Sequence, residues 1–313
     1  MNAPPKDKLL ELRPDTFETI RKIYNFHEPG RMKEAVKILD DWVKKQTHFR
    51  KKNFNAVYLE TTIIACKGSL ERSKTQLDKI CTYRTLLPDF FGKFNVKKDV
   101  GNLYEIVIPV MLPKLTPDHY RVFLIKINDH PFESSQFIDY YKYGVVAGDY
   151  LKLHDYPNGF LVIADFRGLN IMDFVTKLNP IEIRQALAIY MEGYGMRLKG
   201  IHILTASKFV DALVSILKQV LSEKLSKRIV VHKSVESLYD VTPKEILPIE
   251  YGGEERSINK ILETWLELLS SKEHLDYLEE ISKATTDEAC RQLDKFNENY
   301  IGMPGTFRVL NVD

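Results

Sequence analysis

Asp165 and His202 are the polar residues whose positions come nearest to a catalytic arrangement. Asp165 ends the apolar run GFLVIAD (159–165), where α/β enzymes often place an acid, and His202 lies inside the apolar run GIHILTA (200–206). The Asp165 carboxylate could instead cap the turn RGLN (167–170) by accepting backbone N–H bonds. We favour the capping role, and we expect His202 to be satisfied in the core or beside a pocket. Because no partnered nucleophile or base accompanies them, we predict no catalytic residue.

Motifs for nucleotide or metal chemistry are absent. The sequence contains no P-loop and no G-x-S-x-G, and the glycines of GYG (193–195) follow a predicted helix, whereas a dinucleotide fingerprint follows a strand. Cys66, Cys81 and Cys290 show no C-x-x-C spacing, and the eight histidines fall in no metal-ligand pattern. We therefore predict no metal, no cofactor, no enzyme activity, and three reduced thiols in a cytosolic protein.

Basic residues concentrate in the segment 197–233, which holds eight lysines and arginines and two acidic residues. The whole chain has a net charge of only +2, so its overall charge gives no case for nucleic acid. A local basic cluster beside apolar sequence is typical of a surface that meets anionic membranes. A solvated face is the alternative. Lys224 and Arg228 are four residues apart and share a helix face if the helix runs that far.

Periodicity predicts an α/β fold after a helical N-terminal region. Apolar spacing indicates helices at 32–43, 57–65 and 70–83, and Pro88 ends this run. Strand-like segments then alternate with helical ones, which favours a mainly parallel sheet. The predicted strands are 103–110, 121–127, 159–165, 200–206 and 228–232, and the predicted helices are 135–153, 180–194, 208–226 and 257–283. No apolar run is long enough to span a bilayer.

The predicted helix 208–226 is apolar around most of its circumference, with only a narrow polar stripe. An apolar arc this wide predicts burial on more than one side. Two interpretations stay open: a core crossover helix, or a lid that closes a pocket with one face and touches lipid with the other.

Three stretches together resemble the CRAL-TRIO lipid-transfer family: GFLVIADFRGLN (159–170), YGMRLKGIHILTASKFVDALVSILKQVLSEKLSKRIVVH (194–232) and ILPIEYGGEE (246–255). The resemblance covers about residues 50–256. It implies a helical N-terminal lobe and an α/β lipid-binding domain, in which an apolar ligand lies between a sheet floor and a mobile gate helix. We place the lobe at 1–92, the lipid-binding domain at 93–256, and a C-terminal helix and tail at 257–313.

The ligand pocket is predicted from strand parity and from the positions that match the family. Alternate side chains of 159–165 and 200–206 form its floor, and helix residues form its walls. The predicted pocket residues are Tyr140, Tyr143, Ala147, Phe160, Val162, Ala164, Ile189, Met196, Ile201, Ile203, Phe209, Leu213 and Leu217. Tyr140 or Tyr143 could give a ligand hydroxyl or carbonyl its hydrogen bond.

By the same resemblance, basic residues near the gate bind phosphoinositide head groups; the matching positions are Arg197, Lys199, Lys224 and Arg228. The chain departs from the family pattern at three places. Ile64 stands where the family has arginine, Gly195 where it has proline, and LTAS (204–207) replaces I-N-x-P. Glycine at 195 suggests a looser gate hinge, because glycine frees φ where proline fixes it.

The resemblance therefore implies intracellular binding and transfer of a tocopherol-, retinoid- or other lipid-like molecule, with release at phosphoinositide-containing membranes. The alternative is a phosphoinositide-sensing membrane adaptor without a transported ligand. The expected partners are a hydrophobic small molecule and an anionic membrane surface, with no nucleic acid. The expected location is cytoplasmic, with peripheral contact to membranes.

Overall fold

Four helices form the N-terminal part of the computed structural model, which describes residues 9–92 and 94–291. They are α1 (Thr16–Ile23), α2 (Arg31–Lys45), α3 (Ala56–Ala65) and α4 (Leu70–Leu86). The Asn55 side chain caps α3 by accepting the Val57 N–H at 2.8 Å. Proline 88 follows α4, as the sequence predicts.

The sheet has five strands in the order β1-β2-β3-β4-β5, which is also their order in the chain. β1 pairs antiparallel with β2, and the other three pairings are parallel. The strands are β1 (Val107–Leu115), β2 (Tyr120–Ile127), β3 (Gly159–Asp165), β4 (Leu198–Leu204) and β5 (Ile229–His232). The predicted fold class, α/β with a mainly parallel sheet behind a helical region, is confirmed.

Eight further helices connect or cover the strands. They are α5 (Leu103–Ile106), α6 (Phe137–His154), α7 (Ile171–Lys177), α8 (Pro180–Ala188), α9 (Val210–Val220), α10 (Glu223–Ser226), α11 (Ile258–Leu269) and α12 (Lys272–Ile281). A π-helical turn, Ile189–Gly193, extends α8. Among residues 9–92 and 94–291, no helix is long and apolar enough to cross a membrane.

Two long predicted helices are each two helices in the structure. The prediction of one helix over 208–226 is wrong, because Leu221 and Ser222 are extended and separate α9 from α10. The prediction of one helix over 257–283 is wrong as well. There the Ser271 side chain accepts the His274 N–H at 3.3 Å and begins α12 anew.

Other elements also differ from the sequence prediction. The strand predicted from residue 103 starts at Val107, because 103–106 forms α5. Strand β4 starts and ends two residues before the predicted 200–206. The helix α7 was not predicted, although Asn170 caps it by accepting the Asp173 N–H at 3.2 Å.

Two tyrosines fix the π-helical turn against α6. The rings of Tyr190 and Tyr194 pack over Gly144 and Gly148, where a Cβ atom would collide with them. Their hydroxyls donate to carbonyls of α6, Tyr190 to Tyr141 at 2.8 Å and Tyr194 to Val145 at 3.2 Å. Glycines four residues apart therefore form the groove that holds this turn.

Asp165 has a structural role, as the capping interpretation predicts. Asp165 is 1% exposed, and its carboxylate accepts the Arg167 backbone N–H at 3.0 Å. The Arg167 guanidinium pairs with it at 2.8 Å, and the Tyr251 hydroxyl donates to it at 2.9 Å. These bonds hold the turn after β3 and leave the carboxylate buried and paired.

Candidate ligand and membrane-binding site

The predicted floor residues share one face of the sheet. Val162 lies opposite Ile201 in the β3–β4 register, and Ala164 lies opposite Ile203. Ile201 packs with Leu221 and Leu225 in a small apolar cluster that side chains of α8 and α9 join. The face predicted as a pocket floor is therefore the one that the α8–α10 region covers.

The helix α9 lies over this face without being buried. Of its residues only Leu213 is buried, at 2% exposure, while Phe209 just before it is 54% exposed. The remaining apolar residues are partly exposed: Val210, Ala212, Val214, Ile216, Leu217 and Val220. A core crossover helix would bury most of these side chains, so α9 is not one, and the lid interpretation stays a prediction.

The predicted wall residues of α6 and the π-helical turn lie in the core. Tyr143, Ala147 and Ile189 are buried, and Tyr140 is partly buried. Burial raises the pKa of both tyrosine hydroxyls above the ordinary value, so both phenols are neutral.

A cavity of about 50 Å³ lies where β3 begins. Two of the predicted pocket residues, Phe160 and Met196, line it. The cavity is otherwise lined by residues outside the predicted set, among them Thr61, Ile64, Leu151, Lys152, Tyr156 and Tyr194. Ile64 is 3% exposed, so the position where the family carries arginine is an apolar wall here.

Arg197 is engaged with the N-terminal helices. Its guanidinium donates to the Tyr24 hydroxyl at 2.6 Å and lies 5.0 Å from the centre of that ring. The Tyr24 hydroxyl in turn donates to Asn158 at 2.6 Å. These hydrogen bonds join the end of α1 to the start of β3 and β4.

Lys199 lies within a cluster of cations. Its pKa is lowered by partial burial and by the positive charges of Arg197, Lys67 and Arg228. Its ammonium stands 4.9 Å from the ring centre of Tyr120. The tertiary structure therefore brings the predicted Arg197, Lys199 and Arg228 together and adds Lys67, which the sequence prediction did not include.

Lys224 and Arg228 do not share a helix face, because α10 ends at Ser226. The Arg228 guanidinium donates to the Leu198 carbonyl of β4, so this residue also supports the sheet edge. Lys224 is exposed. On the other side of Arg197, a groove of about 350 Å³ carries Lys67, Arg72, Lys79 and Gln76 along α3 and α4.

His202 forms a buried pair with His232, as expected of a satisfied core histidine. Nδ1 of His202 lies 2.9 Å from Nε2 of His232, whose other ring nitrogen lies 2.9 Å from the Ser237 hydroxyl. Burial, with a contribution from His232, lowers the pKa of His202 to about 4. In the part of the chain that the structure describes, no three His, Cys, Asp or Glu side chains are grouped to hold a metal.

Gly195 has a left-handed backbone, with φ of +72°. The N–H of Met196 donates to the Tyr190 carbonyl at 3.0 Å, and a Cβ on Gly195 would lie 2.5 Å from the Gln76 amide oxygen. Proline cannot reach this φ and other residues reach it at a cost. Glycine is therefore required to end the π-helical turn, which argues against the looser hinge that the sequence suggested.

Comparison with known proteins matches residues 108–253 to the model of the CRAL/TRIO domain. The human "Alpha-tocopherol transfer protein-like" is 28% identical over 124 residues, which cover 39% of this chain and 35% of that relative. Human "Clavesin-2" is 33% identical over 97 residues, 31% of this chain and 29% of that relative. The chain thus spans about a third of the length of these curated relatives. A solved structure titled "Crystal structure of Sfh5" aligns with a TM-score of 0.40 and 13% identity, over 80% of this chain and 92% of that one.

Proposed function

Because residues 108–253 of this chain match the model of the CRAL/TRIO domain, we propose that the protein binds a hydrophobic small molecule and transfers it between membranes. Release occurs at membranes that carry phosphoinositides. The observation that carries the proposal is α9, an apolar helix that covers the sheet face and still exposes much of its apolar surface.

Ligand binding in this proposal depends on burial of hydrocarbon. Each CH₂ group that leaves water contributes about 0.8 kcal/mol, so a long apolar tail binds tightly with few polar contacts. The ligand lies between α9 and the floor formed by Val162, Ala164, Ile201 and Ile203. A tocopherol-like or retinoid-like molecule fits this description.

Membrane release in this proposal uses the basic residues beside α9. Arg197, Lys199, Lys224 and Arg228 bind the phosphates of the head group, while the exposed Phe209 enters the apolar layer. Movement of α9 toward the lipid then opens the pocket. The protein accordingly works in the cytoplasm as a peripheral membrane protein, with the lobe at 1–92 and the lipid-binding domain at 93–256.

The test is to identify what the protein binds. Organic extraction of the purified protein followed by mass spectrometry should yield one lipid per chain, or the extracted protein should take up a fluorescent tocopherol or retinoid probe. An empty extract together with no uptake of any lipid class would contradict ligand transfer.

A second function, a phosphoinositide-sensing adaptor without a transported ligand, is favoured by the small size of the cavity. A volume of about 50 Å³ is far below the several hundred Å³ of a typical lipid-sized pocket. Flotation with vesicles containing phosphoinositides separates the two functions. An adaptor binds these vesicles but neither copurifies with nor takes up a lipid.

A further inference from the structure

Lys152 of α6 is a buried cation that the predicted site does not use. Its side chain is 6% exposed. The ammonium donates to the Thr62 hydroxyl at 2.7 Å and stands 4.8 Å from the ring centre of Tyr58. Burial lowers the pKa of Lys152 to about 7. Lysine is almost never buried without a partner, so this placement calls for an explanation.

The carboxylates of this region already have cationic partners. Their closest ion-pair distances are 2.8 Å for Asp149 with Arg84, 2.7 Å for Asp155 with Arg121 and 2.6 Å for Glu60 with Arg21. Among residues 9–92 and 94–291, no carboxylate forms a salt bridge with Lys152. These three carboxylates thus serve three arginines, and Lys152 is a fourth cation without a carboxylate of its own in the described part of the chain.

The ammonium of Lys152 also has fewer hydrogen-bond acceptors than it has N–H donors. An ammonium has three N–H donors, and the Thr62 hydroxyl accepts one of them. Thr62 itself donates to the Tyr58 carbonyl at 2.8 Å, so its oxygen is committed to this arrangement. Without an anionic partner the buried amine holds its proton weakly, in line with its lowered pKa, whereas an anion with acceptor oxygens would keep it protonated and complete its hydrogen bonds.

Space for such an anion exists beside Lys152. The cavity of about 50 Å³ that Lys152 lines has mostly apolar walls, including Ile64, Leu151, Phe160 and Met196, and Asp155 and Arg197 line it as well. The Asp155 carboxylate is already paired with Arg121. Since a water molecule takes about 30 Å³ of liquid volume, the cavity has room for one small polar group. Lys152 and Arg197 beside apolar walls are the complement of a hydrocarbon chain that ends in an acid.

We propose that Lys152 is the polar anchor of the ligand pocket and that it binds the carboxylate of an amphipathic carboxylic acid such as a fatty acid. This rests on the proposed ligand-binding function and narrows its ligand class. The carboxylate pairs with the ammonium beside Thr62. The tail passes Phe160 and Met196 and lies on the floor at Val162 and Ile201, where α9 moves outward to admit it.

The test compares ligands of one chain length and different head groups. Dodecanoic acid, 1-dodecanol and dodecylamine are titrated into delipidated full-length protein by calorimetry. We expect the acid to bind about tenfold or more tighter than the alcohol, because a charge-assisted hydrogen bond replaces a neutral one. The amine should bind more weakly than both.

Lys152→Met removes the charge and keeps a similar volume, so it should abolish the preference for the acid. Lys142→Met, on the same helix, should retain it. Equal affinities of the wild-type protein for acid and alcohol would overturn the proposal, and this comparison decides even if Lys152→Met fails to fold. Tight binding of the alcohol or of a tocopherol without preference for the acid would leave the proposed function intact. Binding of no lipid at all would contradict both.

Discussion

Reversing the charge of Lys224 is the cleanest perturbation of the basic surface. Arg197 bonds to Tyr24 and Arg228 to a β4 carbonyl, so changing either would also disturb the fold. Lys224 is exposed, and no described carboxylate forms a salt bridge with it, whereas the neighbouring Lys227 pairs with Glu223 at 2.6 Å. Lys224→Glu should therefore fold normally and change only the surface charge.

The expected loss of membrane affinity follows from the change of charge alone. A lysine or arginine near an anionic membrane contributes about 1 kcal/mol, so removing the positive charge and adding a negative one costs about 2 kcal/mol. This corresponds to roughly thirtyfold weaker binding, since about 1.4 kcal/mol is tenfold. The loss should shrink as salt increases, because the Debye length is about 8 Å at physiological ionic strength.

Vesicle sedimentation with and without a phosphoinositide measures the effect. Lys260→Glu is the control, and it also removes the exposed ion pair of Lys260 with Glu263 at 2.9 Å. It makes the same charge change on α11, which packs on β1 at the opposite edge of the sheet from β5. Ligand uptake should be unchanged in both variants. Equal losses for the two variants, or no loss for Lys224→Glu, would refute the assignment of the membrane-facing surface.

Two further predictions concern stability. Gly195→Ala should lower the free energy of unfolding by about 1–2 kcal/mol in urea denaturation, because φ of +72° is left-handed. Gly195→Pro should lower it further. An unchanged urea midpoint would contradict the conclusion that this position requires glycine. The pKa of His202 is about 4 in the folded protein and near 6.5 unfolded, so the stability it contributes is present above pH ~6.5 and lost as the pH falls toward 4. His202→Gln should make unfolding less sensitive to pH across that window, and an unaltered pH dependence would exclude His202 as a contributor.

Much of the α/β domain could be predicted from local sequence. The run GFLVIAD gave β3 its bounds, and Pro180 marked the first residue of α8, where its missing N–H costs nothing. The sequence prediction failed where the same apolar residues fit both the period of a strand and that of a helix. The segment LYEI (103–106) fits a strand, yet it forms one turn of helix, which places the buried Leu103 and Ile106 on one side.

Candidate site residues were predictable where they lie on strands with a known register. Parity placed Val162 and Ala164 on one face of β3 and Ile201 and Ile203 on one face of β4. The resemblance to the family assigned both faces to the pocket floor, and the register of the two strands puts these side chains opposite each other. The exposure of α9 was not predictable, because an apolar arc of that width is equally compatible with a buried helix.

The sequence by itself determined the fold class, the apolar character of α9 and the local excess of positive charge, since each depends on residues near one another in the chain. Only the tertiary structure decided which charges meet. Lys67 and Arg197, which lie in different parts of the molecule, both act on Lys199, and Lys152 donates to Thr62, 90 residues away. Contacts at such separation leave no period or motif in the sequence, because they arise from how helices pack after they have formed.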